Sequence, residues 1–262
     1  MITCGPATVT DNLVTLLDWA NKRCYQQGNT TFTNLVGTNT GYLKNGATYS
    51  NLYPSDHIVM DNFFNPGLQT INDRIDINTR GDGIDRFDKT DSFSFCIWIY
   101  TTSSTLSRIV SSGNSGTALD SDGVAIPFVF LDRNSFGWWN EYGSGDNSLT
   151  VYYPDLVSLG EWTHVGVTYK YNEGNSNVVR LYKNGILVAT NQISTSSHSA
   201  ASVKTLDSFQ WTLGGGHYAS NYNASLGCKI GMFWMYNKML TNEEVYRVYK
   251  GHERRFKPNI VQ

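Results

Sequence analysis

Glycoside hydrolysis needs two carboxylates set about 5 Å apart when the second acts as nucleophile, and a strand run of the form Glu-x-Asp-x-Glu places them on one face. None of the 22 acidic residues of this 262-residue chain falls in such a run. Glu161 stands at the start of a strand pattern, and Glu243 and Glu244 stand where a helix begins, a place their charge favours. The five histidines have no nucleophile motif beside them, so Ser-His or Cys-His catalysis has no support. The chain reads as non-catalytic.

Binding chemistry is better represented. Asp120-Ser121-Asp122-Gly123 puts two carboxylates in one turn, where oxygen ligands could hold calcium. The other ligands of a calcium loop are missing and an ordinary surface turn has the same sequence, so no cofactor is expected beyond calcium at Asp120 and Asp122. The stretch Gly215, Gly216, His217, Tyr218, Ala219, Ser220, Asn221, Tyr222 offers rings and amides as a sugar site does, or is a solvated loop with ordinary tyrosines. Trp138, Trp139, Tyr142 and Tyr152 surround the turn Gly143-Ser144-Gly145-Asp146-Asn147. These rings either form a contact patch for a glycan or protein partner, or complete the core. Trp138 and Trp139 point opposite ways in an extended chain, so one is expected inside and the other free.

Composition limits the partners. Hydrophobic residues make up 40% and aromatic residues 13%, enough for a substantial core. Charged residues are 16% and the net charge is −2, which leaves no electrostatic footprint for nucleic acid or an anionic membrane. No apolar run reaches the roughly 20 residues of a membrane helix. The N-terminus lacks the basic start and apolar stretch of a signal peptide, which suggests a chain made in the cytoplasm. Cys4, Cys24, Cys96 and Cys228 are far apart and without zinc-site spacing. Free thiols are expected, a Cys4 to Cys24 bridge being the alternative.

The elements that must position these groups are strands. Residues 160–190 set Trp162, His164, Gly166, Thr168 and Lys170 against Thr163, Val165, Val167 and Tyr169, with the second set on the apolar face. A polar gap at 171–177 and the pair Asn184-Gly185 then predict three antiparallel strands. Residues 92–100 read as an aromatic-rich strand, with Phe93, Phe95, Ile97 and Ile99 opposite Ser94, Cys96, Trp98 and Tyr100. Asp73-Arg74-Ile75-Asp76-Ile77 is a shorter alternating run. Near the end, Thr241 and Glu244 form a capping box, Val245, Val248 and Tyr249 share a helix face, and Gly251 is expected to stop the helix. The sequence shows no repeat, linker or second core.

Three stretches carry a family resemblance. The Gly-Glu-Trp-x-His-Val strand and the Arg-Leu-Tyr-x-Asn-Gly strand that follows it resemble the central strands of concanavalin A-like, laminin-G-like β-sandwiches. The opening Leu13, Val14, Leu17, Asp18, Ala20, Asn21, then Tyr25, Gly28, Thr31, Phe32, Thr33, Asn34, Leu35, Gly37 and Asn45-Gly46, is similar to such domains in tailed-bacteriophage virion proteins. So is the closing Tyr236-Asn237 with Leu240, Thr241 and Glu244. Phe32 and Asn34 depart from the commoner Trp and Asp.

The resemblance implies an all-β, two-sheet antiparallel jelly-roll with a short C-terminal helix. It spans residues 12–253 between an arm, 1–11, and a tail, 254–262. It further implies a structural virion component, a head decoration, spike or tail-associated protein. Such a protein would be made in the host cytoplasm and would self-associate or dock on other virion proteins; a carbohydrate-binding module is the alternative. His164, a position where the family commonly has His, is expected to be a satisfied core or interface residue.

Overall fold

The computed structural model describes residues 9–37, 39–52, 54–60, 73–78, 91–104, 108–112, 128–139, 149–195, 210–214 and 227–258. The strands of the first half are β1 (Leu13–Asp18), β2 (Thr31–Thr33), β3 (Thr40–Lys44), β4 (Thr48–Ser50), β5 (His57–Met60), β6 (Arg74–Asn78), β7 (Phe93–Thr101), β8 (Val110–Ser112) and β9 (Phe128–Leu131). Those of the second half are β10 (Ser135–Trp139), β11 (Leu149–Tyr152), β12 (Thr163–Glu173), β13 (Ser176–Lys183), β14 (Ile186–Ser194), β15 (Gln210–Leu213) and β16 (Cys228–Tyr236), followed by helix α1 (Asn242–Phe256).

They build two antiparallel sheets. Sheet A runs β14-β13-β12-β7-β16-β5-β4 with β1 also paired to β16, and sheet B runs β11-β10-β9-β8-β15-β6-β3-β2. This is the expected jelly-roll sandwich. Phe93, Phe95, Ile97, Val165, Val167, Leu181 and Phe233 are all fully buried in the core between the sheets. Asn184-Gly185 forms the expected tight turn, with φ of 50° and 77°. Asn45-Gly46, also at positive φ, carries the chain from β3 in sheet B to β4 in sheet A, so it turns a corner between the sheets.

The polar stretch 171–177 holds the turn its composition predicts, but most of it is strand. β12 continues to Glu173 and β13 starts at Ser176, with the turn made by Gly174 and Asn175 at φ of 60° and 70°. A bulge at Asn172 absorbs the polar residues, because its N–H donates to Asn177 Oδ1 at 3.1 Å.

A second apolar layer, absent from the sequence reading, lies on the outer face of sheet A. Cys96, Trp98, Trp162, Tyr182, Trp234 and Tyr236 pack there under Val245, Val248, Tyr249 and Phe256 of α1. The capping box forms as expected: Glu244 N–H donates to Thr241 Oγ1 at 3.2 Å, and Thr241 N–H to Glu244 Oε2 at 2.9 Å. Gly251 does not end the helix. Residues 254–256, placed by the sequence in a tail, form its last turn, because Phe256 is buried against Trp98 and Trp162 at ring distances of 4.7 and 4.9 Å. Cys24 and Cys96 are buried thiols and Cys24 is unbridged; Cys4 lies outside the described residues. Burial pushes Cys24 up to about 11, which leaves it unreactive.

The Asn34 departure has a physical reason. Its Oδ1 accepts from Leu16 N–H at 2.9 Å and Val36 N–H at 3.1 Å, while its Nδ2 donates to Val14 O at 2.9 Å, all within a buried site beside β1. A carboxylate can accept but cannot donate. Asn34→Asp is therefore expected to destabilise the chain by about 1–3 kcal/mol by setting a charge against the Val14 carbonyl. Chemical denaturation of the two proteins measures it.

Candidate functional site

Strand register brings one residue from each strand of sheet B into a single row. Thr31, Tyr42, Asp76, Thr212, Ser111, Phe130, Gly137 and Thr150 are successive cross-strand partners. Their neighbours along the chain, among them Leu43, Ile75, Trp211, Val110, Leu131, Trp138 and Val151, point into the core. Period-two alternation therefore sets the whole row on the outer face. Tyr152 is two residues beyond Thr150 on that face, opposite Ser135.

The middle of the row is closely bonded and closed to solvent. Arg74 donates from Nε and Nη2 to both oxygens of Asp76 at 2.7 and 3.2 Å. The hydroxyls of Ser111 and Thr212 share a hydrogen bond of 2.6 Å. The Phe130 ring lies against Gly137, where a Cβ would stand 2.3 Å from its Cζ, so only glycine fits beneath it. The Arg108 guanidinium covers the ring at 4.3 Å from its centroid. Arg108 also holds Asp132, through its backbone N–H at 2.5 Å and its guanidinium at 3.7 Å. Burial nevertheless raises the Asp132 carboxyl above the usual carboxylate range, outweighing both contacts.

The two ends of the row are open. Tyr42 is 40% exposed, with Lys44 Nζ 4.7 Å from its ring centroid, and Tyr152 is 63% exposed. Hydroxyls next to an exposed ring suit a polyol, which exchanges hydrogen bonds along its edge and stacks its C–H face. Proton transfer is not favoured at Asp76, because Arg74 occupies both of its oxygens. Among the described residues no group of three His, Cys, Asp or Glu side chains could hold a metal ion.

The sequence-predicted contact residues fare differently. Tyr152 stands on the open face. Trp138 does not: it is fully buried, 4.3 Å from the Tyr169 ring across the sandwich, so it belongs to the core and is withdrawn from the contact set. The backbone of Trp139 ends β10 opposite Phe128. Tyr142, His217, Tyr218, Asn221 and Tyr222, and the calcium candidates Asp120 and Asp122, lie outside the described residues. His164 is a core residue but not a satisfied one, since neither ring nitrogen has a hydrogen-bond partner among the described residues. The sequence reading missed Tyr42, Asp76, Thr212, Ser111 and Phe130. Their signal was an outward residue between core residues, as in Ile75-Asp76-Ile77 or Trp211-Thr212-Leu213.

Residues 72–246 match the family model of laminin G type described as the concanavalin A-like lectin/glucanases superfamily. The chain belongs to that superfamily. Comparison with curated protein sequences gives no match. Among solved structures, the superfamily fold is shared with the receptor binding domain of botulinum neurotoxin C/D mosaic serotype, at 17% identity and a TM-score of 0.58, covering 93% of this chain and 52% of that one. The binding domain of botulinum neurotoxin DC, at 12% identity and TM-score 0.57, covers 91% and 51%. The binding domain of Paraclostridial Mosquitocidal Protein 1, at 14% identity and TM-score 0.57, covers 91% and 52%. The chain thus spans about half the length of the toxin domains it resembles.

Proposed function

We propose that this chain is a non-catalytic glycan-recognition domain that binds through the outer face of sheet B. The observation that carries the reading is the open ends of the row: Tyr42 and Tyr152 are exposed rings beside the exposed threonines Thr31 and Thr150, and Leu149 and Val151 anchor the Tyr152 strand in the core. A ring held on a rigid edge strand can stack on a pyranose without first being ordered. One of the similar toxin structures is called a receptor binding domain and another, called a binding domain, was solved in complex with SialylT, which supports binding as the role of this fold here. The virion setting suggested by the terminal motifs is compatible with the same face, as an attachment surface, and rests on those motifs alone.

A glycan array probed with the purified chain tests the reading. Tyr152→Ala is expected to lower affinity for the glycans bound by about tenfold or more, the loss of about 1.4 kcal/mol. The melting temperature should stay unchanged, because the ring is mostly in solvent. An array with no bound glycan overturns the proposal, as does binding that survives both Tyr152→Ala and Tyr42→Ala.

A further inference from the structure

The layer beneath α1 contains three histidines whose burial the glycan reading does not use. His164 on β12 is fully enclosed, its ring 5.4 Å from Trp98, 6.3 Å from Trp234 and 5.7 Å from Tyr249 of the helix, with neither nitrogen hydrogen-bonded among the described residues. His252 belongs to the helix itself and packs 4.9 Å from Trp234, its Nδ1 beside the Val248 carbonyl at 3.2 Å. His57 on β5 sits 5.6 Å from Trp162, which in turn supports Phe256. Its Nδ1 meets Ser55 O at 2.7 Å and its buried Nε2 has no partner among the described residues. The helix therefore closes over imidazoles that can be accommodated neutral and not charged.

We propose that α1 is an acid-released cover: protonation of these histidines detaches the helix from sheet A and uncovers the aromatic face of Trp98, Trp162, Tyr182, Trp234 and Tyr236. The surrounding charges reinforce the effect at the centre. His252 and Lys257, both from the helix end, oppose a proton on His164, and the rings packed against it are Trp98 of β7, Trp234 of β16 and Tyr249 of the helix. At His252, Arg255 opposes protonation and Asp18 favours it; at His57, Lys229 opposes and Asp56 favours it. Desolvation is the leading cause at all three, and all three are held below the ordinary histidine range, His164 at about 3.

The sign follows from linkage. Above about pH 6.5 the imidazoles are neutral whether the helix is docked or not, and docking keeps its full stability. As pH falls through 6.5, the released state takes up protons that the docked state resists, so docking weakens. At pH 5 a group titrating at 6.5 when released and at about 3 when docked shifts the balance about 30-fold toward release. The contacts that hold the helix down include Arg255 to Asp18 at 2.8 Å and the Tyr182 hydroxyl donating to Asn242 Oδ1 at 2.7 Å.

Hydrogen exchange of the full chain, read by mass spectrometry at pH 7.5, 6 and 5 and corrected for intrinsic rates, tests the proposal. Peptides from residues 242–256 are expected to lose at least tenfold in protection between pH 7.5 and 5, while peptides from 163–183 keep theirs. His164→Phe is expected to remove most of that loss. Helix protection unchanged at pH 5 overturns the proposal, and so does simultaneous loss from helix and strands, which would be global acid unfolding. Should His164→Phe fail to fold, His252→Phe takes its place, and a folded variant retaining the whole acid response also overturns it. None of these outcomes depends on whether sheet B binds a glycan.

Discussion

Trp138→Ala is expected to destabilise the chain by about 3–5 kcal/mol, the range for removing a buried tryptophan or phenylalanine ring. Trp138 reaches from β10 in sheet B to sheet A, with its ring 4.3 Å from Tyr169 and 5.5 Å from Phe93, which themselves stack at 5.4 Å. The pocket left behind would lie between two sheets, where neither can move inward without breaking its own ladder, so little collapse is available to reduce the cost. For a chain of this length the melting temperature should fall by roughly 10 °C. Tyr152→Ala, on the adjacent strand, should shift it hardly at all. Thermal melts of the two variants side by side check the division of labour. A stable Trp138→Ala protein with lost ligand binding would return that ring to the surface and overturn the assignment.

That contrast shows what period-two alternation can and cannot disclose. Adjacent Trp138 and Trp139 announce that one ring goes inward, but only the pairing of Trp138 with Leu149 and Val129 in sheet B says which. The hairpin at Asn184-Gly185 and the capping box at Thr241 and Glu244 were legible because each is closed within a few residues of sequence. The row across sheet B was not legible. Tyr42, Asp76, Ser111, Phe130 and Thr212 meet only because β3, β6, β15, β8 and β9 are neighbours in sheet B, and that strand order follows from the crossovers between sheets. The sequence does show that Ile75-Asp76-Ile77 has an outward carboxylate, yet gives no hint that Thr212 stands beside it. The second apolar layer was missed for a related reason. Cys96, Trp98 and His164 fall in the sequence on the far side of central strands, and what covers that side comes from residues after 240.

The end of the helix is where the sequence misleads most, and Phe256→Ala is expected to show it with a loss of about 3 kcal/mol or more. A glycine inside a helix costs about 1 kcal/mol relative to alanine, which made Gly251 a reasonable stop. Burying the Phe256 ring outweighs that cost, since full burial of such a side chain contributes about 1.5–3 kcal/mol. The slot is specific: a Cβ at Gly231 would come within 2.2 Å of Phe256 Cε1, so β16 must carry glycine where the ring lies. Without the ring, the last turn should fray and Arg255 should lose its hold on Asp18. Thermal melting gives the size of the loss, and exchange of the helix peptide shows where it occurs; a change under 1 kcal/mol would mean that Phe256 is not an anchor. The same variant constrains the acid response. Weaker docking lets fewer protons release the helix, so the release should move to higher pH, but it cannot be driven by histidine protonation much above about pH 6.5, where the released imidazoles have no proton to gain. A Phe256→Ala protein whose helix opens to the same extent at pH 8 and pH 5 would show that packing alone, without the histidines, decides whether the cover is closed.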